Sequence, residues 1–157
     1  MSHVARIDVQ VTDLNDLRTA CAELGLEFVE GQQTYEWYGQ TNLEESPLPE
    51  GFHAEDLGRC EHAIRLNTQA RLDAWNKYEH APYEIGVSRR RDGQPGWVLM
   101  WDYFQGGYGL TDVVGQRGGL LKQAVGTAAT IRTMKAKGFR LERKTLPNGT
   151  VQVECTR

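Results

Sequence analysis

Residues 97 to 104 read Trp97-Val98-Leu99-Met100-Trp101-Asp102-Tyr103-Phe104, eight positions with a single charge. In an extended chain, successive side chains point to opposite faces. Trp97, Leu99, Trp101 and Tyr103 then share one side, and Val98, Met100, Asp102 and Phe104 the other. A strand that is apolar on both sides needs a sheet covered on both faces. Asp102 is the odd member, because a carboxylate among large apolar groups loses its hydration. It reads as a general base or as a buried acceptor that holds backbone or arginine donors.

The sequence around this strand sets its neighbours. Ile85 and Val87 form a preceding strand, and Arg91-Asp92-Gly93-Gln94-Pro95-Gly96 supplies the turn of a hairpin. At the start of the chain Ile7, Val9 and Val11 alternate with polar residues, which predicts a half-buried strand. Leu14, Leu17, Cys21 and Leu24 then recur at helical spacing, with Thr12 or Asp13 as N-cap and Gly25 as the stop. Residues 26–39 read as one strand or a hairpin bent at Gly31, ending on Tyr35, Trp37 and Tyr38.

Residues 41–59 carry five carboxylates and two prolines, the composition of a long surface loop. Residues 62–67 read as a short strand, and the next stretch as one or two helical turns faced by Leu72, Trp75 and Tyr78 or Glu79. Pro82 ends that helix. Leu121, Val125 or Ala124, Ala128, Ile131 and Met134 mark a helix between Gly118 and Gly138. Asn148-Gly149 between alternating runs marks a final hairpin. The economical arrangement is an α+β single domain over 1–157, a mainly antiparallel sheet with two helices packed on one face, with loop insertions at 44–60 and 69–80.

A formal charge of -3 gives no net basic field to hold a nucleic-acid backbone. No apolar run approaches the roughly 20 residues of a membrane span, and no signal-peptide core follows the N-terminus, so a cytoplasmic location is expected. Cys21, Cys60 and Cys155 are an odd number without a close pair and read as reduced thiols. His53, Cys60 and His62 lie within ten residues of one another, yet lack the paired cysteines of a structural zinc site and read as part of a solvated loop. No metal is expected.

Chemistry is carried by two constellations. Tyr38, Trp101 and Tyr103 offer aromatic faces for stacking a planar ligand or base. Arg89, Arg90 and Arg91, on the partner strand, suit phosphate or carboxylate, since guanidinium binds oxyanions bidentately. Alternation sends Arg89 and Arg91 to one face and Arg90 to the other. Gly118-Gly119 before a helix is suited to presenting backbone N–H groups to an anion, but neither a dinucleotide fingerprint nor a phosphate loop is present, and turn geometry explains it. No nucleophile motif occurs, which leaves Asp102 as the sole catalytic candidate.

Several separated pieces carry a family resemblance: residues 16–30, Trp37-Tyr38-Gly39-Gln40-Thr41, the Tyr83 to Gly93 strand and turn, Asp102 with two aromatics and Gln105-Gly106, and the final helix with its hairpin. They resemble the "hypothetical chloroplast open reading frame thirty-five" family of plastids, cyanobacteria and bacteriophages, a family of uncharacterised function. The chain differs from the family at Tyr103-Phe104, where its members carry tryptophans. The resemblance implies no catalytic residue and no cofactor, and makes a phage origin natural. The expectation is a small non-enzymatic accessory binding protein, leaning away from an enzyme. It presents Tyr38, Arg89, Arg91, Trp101, Asp102, Tyr103 and Gln105 to a small anionic, nucleotide-like ligand or to a host protein, in a role countering a host process. The alternatives are a single-stranded nucleic-acid binder and an enzyme centred on Asp102. An exposed edge of the last hairpin offers a route to a homo-oligomer.

Overall fold

The structure, a computed structural model, describes residues 3–40 and 48–157. Five strands, β1 (Val4–Val11), β2 (Leu26–Glu30), β3 (His62–Leu66), β4 (Ile85–Arg89) and β5 (Trp97–Asp102), form one antiparallel sheet in the order β1-β5-β4-β3-β2. Its central strand is β4, and the aromatic strand β5 lies between β4 and β1, so both of its edges are paired. Four helices, α1 (Leu14–Leu24), α2 (Thr68–Tyr78), α3 (Leu110–Val114) and α4 (Gly119–Ala136), join the sheet in an α+β fold. A separate hairpin, β6 (Arg140–Thr145) and β7 (Val151–Thr156), closes the chain around Asn148-Gly149.

One face of the sheet meets the helices. Ile7, Ile64, Leu66, Ile85, Val87, Leu99 and Trp101 pack against Leu17, Ala20 and Cys21 of α1, against Leu121, Ala124 and Val125 of α4, and against α2 and α3. α1 begins where expected: the Asp13 carboxylate accepts the backbone N–H of Asn15 at 2.8 Å, and Gly25 ends the helix at φ 71. A cap of this kind contributes about 1 kcal/mol. α1 and α4 lie side by side and are joined by an ion pair, Arg132 Nε and Nη2 meeting the two oxygens of buried Asp16 at 2.8 and 2.9 Å.

The opposite face is covered by residues 31–40 and 48–60. Phe52 and Leu48 pack on Val98 and Met100, while the ring of Tyr35 lies against Gly86. A Cβ at position 86 would come within 2.5 Å of that ring, so only glycine admits it. This corrects the expectation of a surface loop over residues 41–59 in its described part, residues 48–59, where Phe52 and Leu57 are buried. Glu44, Glu45 and Ser46 of the same stretch lie outside the described residues.

Two further expectations are corrected. Gly31 does turn the chain, at φ 79, but β2 pairs with β3 rather than with the residues that follow it. In α2, Leu72 and Trp75 were expected on the packed face, yet they are 54% and 55% exposed, and Ala70, Ala74 and Tyr78 face the core instead. Ala70, Ala74 and Tyr78 also recur at helical spacing, and small residues allow the helix to approach closely.

Candidate ligand-binding site

At the end of β5 the buried carboxylate of Asp102 ties three segments together. Oδ1 accepts the backbone N–H groups of His3 at 3.1 Å and Phe104 at 2.9 Å, and Oδ2 accepts that of Tyr38 at 3.2 Å. It is fully enclosed, at 0% exposure. Of the two readings of this residue, the geometry is that of the buried acceptor, and its donors are backbone amides rather than arginines. Burial, and after it the negative charge of Asp102, pushes the hydroxyl of nearby Tyr83 well above the ordinary tyrosine range.

Beyond Asp102 the backbone takes an uncommon path. Gln105 (φ 53, ψ 34), Gly106 (φ 64, ψ 19), Gly107 (φ 63, ψ 25) and Tyr108 (φ 52, ψ 47) are four consecutive residues in the left-handed helical region. Glycine enters this region freely, whereas each residue with a Cβ costs roughly 1–2 kcal/mol. The glycine cluster thus encodes a left-handed turn, with Gln105 and Tyr108 as its strained members. Its hydrogen bonds run from Gly106 N to Tyr103 O (3.0 Å) and from Tyr83 N to Gly107 O (2.9 Å). Such strain persists only where surrounding packing imposes it, and it concentrates at binding and catalytic sites.

The turn forms one rim of a cleft of about 690 Å³. Trp101, Tyr103, Gly106, Thr111, Arg117 and Lys122 line it together with Arg6 and Asp8 of β1, and Thr111 lies against Gly106. Tyr103 leaves the strand and is 43% exposed. Arg117 is a second strained residue, at φ 55 and ψ 22, just before α4. Among the described residues neither Arg117 nor Lys122 makes an ion pair, whereas Arg6 lies 3.5 Å from Asp8. The hydroxyl of Thr111, another residue of the lining, is buried and has no hydrogen-bond partner among the described residues.

The residues expected to act together fall into two groups. Tyr38, Trp101, Asp102, Tyr103 and Gln105 gather around the end of β5: Tyr38 packs edge-on to Phe104 at 5.5 Å, Tyr103 lies 5.9 Å from Trp101, and His3 stacks on Tyr103 at 5.4 Å. Trp101, expected as a stacking platform, is only 2% exposed and belongs to the core. Tyr38 at 46% and Tyr103 are the exposed rings.

Arg89 and Arg91 are elsewhere. Arg89 pairs with Trp97 in the ladder, while Trp101 pairs with Ile85, a separation of about 14 Å along the strands. The strand ends at Arg89, so alternation does not extend to Arg91. Arg89 lies over Trp97 and 3.6 Å from Glu61; Arg91 lies over Phe52 and 2.8 Å from Asp56; Arg90 pairs with Asp92. Each arginine of the run already faces a carboxylate.

Arg117 and Lys122 were not singled out from the sequence. For Arg117 the signal was the Gly115-Gln116-Arg117-Gly118-Gly119 stretch, whose glycines do mark a turn, but a turn that places the arginine in the cleft that Trp101 and Tyr103 also line. No group of three or more His, Cys, Asp or Glu side chains among the described residues is arranged to hold a metal ion. No helix among the described residues is long and apolar enough to cross a membrane. Compared with protein-family models, curated proteins and solved structures, the chain has no match in any of the three.

Proposed function

We propose that this is a non-enzymatic binding protein that takes a small anionic ligand in the cleft between Tyr103 and the Arg117/Lys122 pair. The observation that carries this reading is the contrast between the two sets of cations. Arg89, Arg90 and Arg91 are each ion-paired within the protein, whereas Arg117 and Lys122 line a cleft with no carboxylate partner among the described residues. Opposite charge is what such a site lacks, and Tyr103, 43% exposed, adds an aromatic ring to the same cleft. A cleft of about 690 Å³ is also of the size that takes small ligands, roughly 300–1,000 Å³.

Asp102 supports the binding reading over a catalytic one, because its oxygens are buried and engaged by backbone donors. Two uncompensated cations on a chain of net charge -3 also make a poor track for a nucleic-acid backbone, whose binding rests on many phosphate contacts. An accessory role against a host process, in the phage setting that the family resemblance implies, is the cellular side of the proposal.

The test is amide chemical-shift mapping of the full chain with a panel of small aromatic phosphates and carboxylates. At least one should shift Gly106, Thr111 and Arg117 saturably, and Arg117→Gln or Lys122→Gln should weaken that response. A panel in which no anion moves the cleft amides would refute the reading.

A further inference from the structure

The structure assigns the cleft a narrower ligand class: a phosphate monoester joined to a planar ring, as in a nucleoside monophosphate. This rests on the binding reading above and specifies its ligand. The argument begins with charge. Arg6 and Asp8, 3.5 Å apart, offset one another, which leaves Arg117 and Lys122 as two positive charges in the cleft. A phosphate monoester carries about -1.5 to -2 at neutral pH, so it matches that pair. A carboxylate or a phosphodiester carries a single charge and leaves one cation without a partner.

Hydrogen bonding points the same way. The guanidinium of Arg117 presents a planar fork of donors and the ammonium of Lys122 three more, a set suited to an anion with several acceptor oxygens.

The cleft also presents an aromatic ring. Tyr103 is exposed and stands next to Trp101, 5.9 Å away and tilted by 44°. An exposed aromatic ring accepts any planar π-system, which gives affinity for a ring without selecting its identity. A ligand with charge at one end and a ring at the other therefore meets both features of the cleft, its phosphate at Arg117 and Lys122 and its ring at Tyr103.

The experiment is calorimetric titration of the full-length protein with adenosine monophosphate, phenyl phosphate, adenosine, cyclic adenosine monophosphate, benzoate and inorganic phosphate. The expected result is saturable binding of adenosine monophosphate or phenyl phosphate, about tenfold or more tighter than adenosine, the cyclic diester or benzoate. Phenyl phosphate matching adenosine monophosphate identifies any aryl or nucleoside phosphate as the ligand; weaker phenyl phosphate identifies the nucleotide. Lys122→Gln and Arg117→Gln should each lower that affinity about tenfold, and Tyr103→Ala should weaken the ring-bearing ligands while leaving inorganic phosphate unchanged.

Benzoate or the cyclic diester binding as tightly as the monoester overturns the phosphate-monoester assignment and leaves the anion-binding reading standing. Inorganic phosphate binding as tightly as the nucleotide overturns the role of the ring. Silence from every anion overturns both the assignment and the reading beneath it.

Discussion

The imidazole of His80 lies flat on the ring of Tyr108, with centroids 3.9 Å apart and planes 14° from parallel. Tyr83 meets the same tyrosine ring edge-on at 5.3 Å, and Tyr78 does so at 6.3 Å. These contacts connect the end of α2 to the left-handed turn and supply the packing that holds Tyr108 at φ 52. Strain and packing should therefore separate under mutation. Gln105 is exposed and strained, so Gln105→Gly should stabilise the protein by up to about 1 kcal/mol, strain relief exceeding the added freedom of the unfolded chain. Tyr108→Ala keeps the strained backbone and loses the rings, and should destabilise by about 2 kcal/mol or more. Urea denaturation of both variants decides the matter; equal signs for the two changes would contradict it.

Asp102 gathers the amides of His3, Tyr38 and Phe104 on its two oxygens. An asparagine there retains one acceptor but turns an amide nitrogen toward an amide donor, whichever way it is flipped. Asp102→Asn should lower stability by about 1–3 kcal/mol and loosen the start of β1 and residues near Tyr38, seen as faster amide exchange at both. Wild-type stability and exchange would show that the carboxylate does not organise this junction.

Burial raises the Cys21 thiol from its ordinary 9.0 to about 12, the Cys60 thiol from 9.0 to about 11, and the Tyr35 hydroxyl from 10.0 to about 12. In the unfolded chain these groups ionise at their ordinary values, so above about pH 9 the unfolded state holds fewer protons than the folded one. Stability from these groups is thus complete below pH 9 and is lost as the pH rises toward 12. Denaturant midpoints should be flat between pH 7 and 9 as far as these groups are concerned, and fall above that. At pH 8 a thiol reagent should label exposed Cys155 first, half-buried Cys60 slowly, and Cys21 only on unfolding. Labelling of Cys21 as fast as Cys155 in the folded protein would contradict its burial.

Much of the scaffold was written in local patterns. The alternation of Ile7, Val9 and Val11, the Asp13 and Gly25 ends of α1, and the turns at residues 91–96 and Asn148-Gly149 all depend on neighbours in sequence, and all hold in the fold. The apolar character of both sides of β5 also announced two covered faces. What covers the second face was not legible, because Phe52 and Leu57 sit in a stretch dominated by carboxylates and prolines. The packed face of α2 was misread because Leu72 and Trp75 are larger than the Ala70 and Ala74 that make the contact. At the site, Asp102 and Tyr103 stood out by type. Arg117 and Lys122 did not, since an arginine between glycines and a lysine in the first turns of a helix look like solvated charge. Only the tertiary path brings them into the cleft that Tyr103 lines.

The strand order β1-β5-β4-β3-β2 has a consequence for how the chain is made. β1 and β2, synthesised before the other three strands of the sheet, occupy its opposite edges, and neither can pair with the other. β2 waits for β3, and β1 waits for residues 97–102, more than eighty positions later. During synthesis the N-terminal strand and the apolar face of α1 therefore remain without their partners until most of the chain has emerged. Folding of this kind is dominated by distant contacts and is slow to start. The nascent protein should be most dependent on protection from aggregation in the interval before β5 arrives, and truncations ending before Trp97 should be recovered as insoluble material rather than as a smaller folded unit.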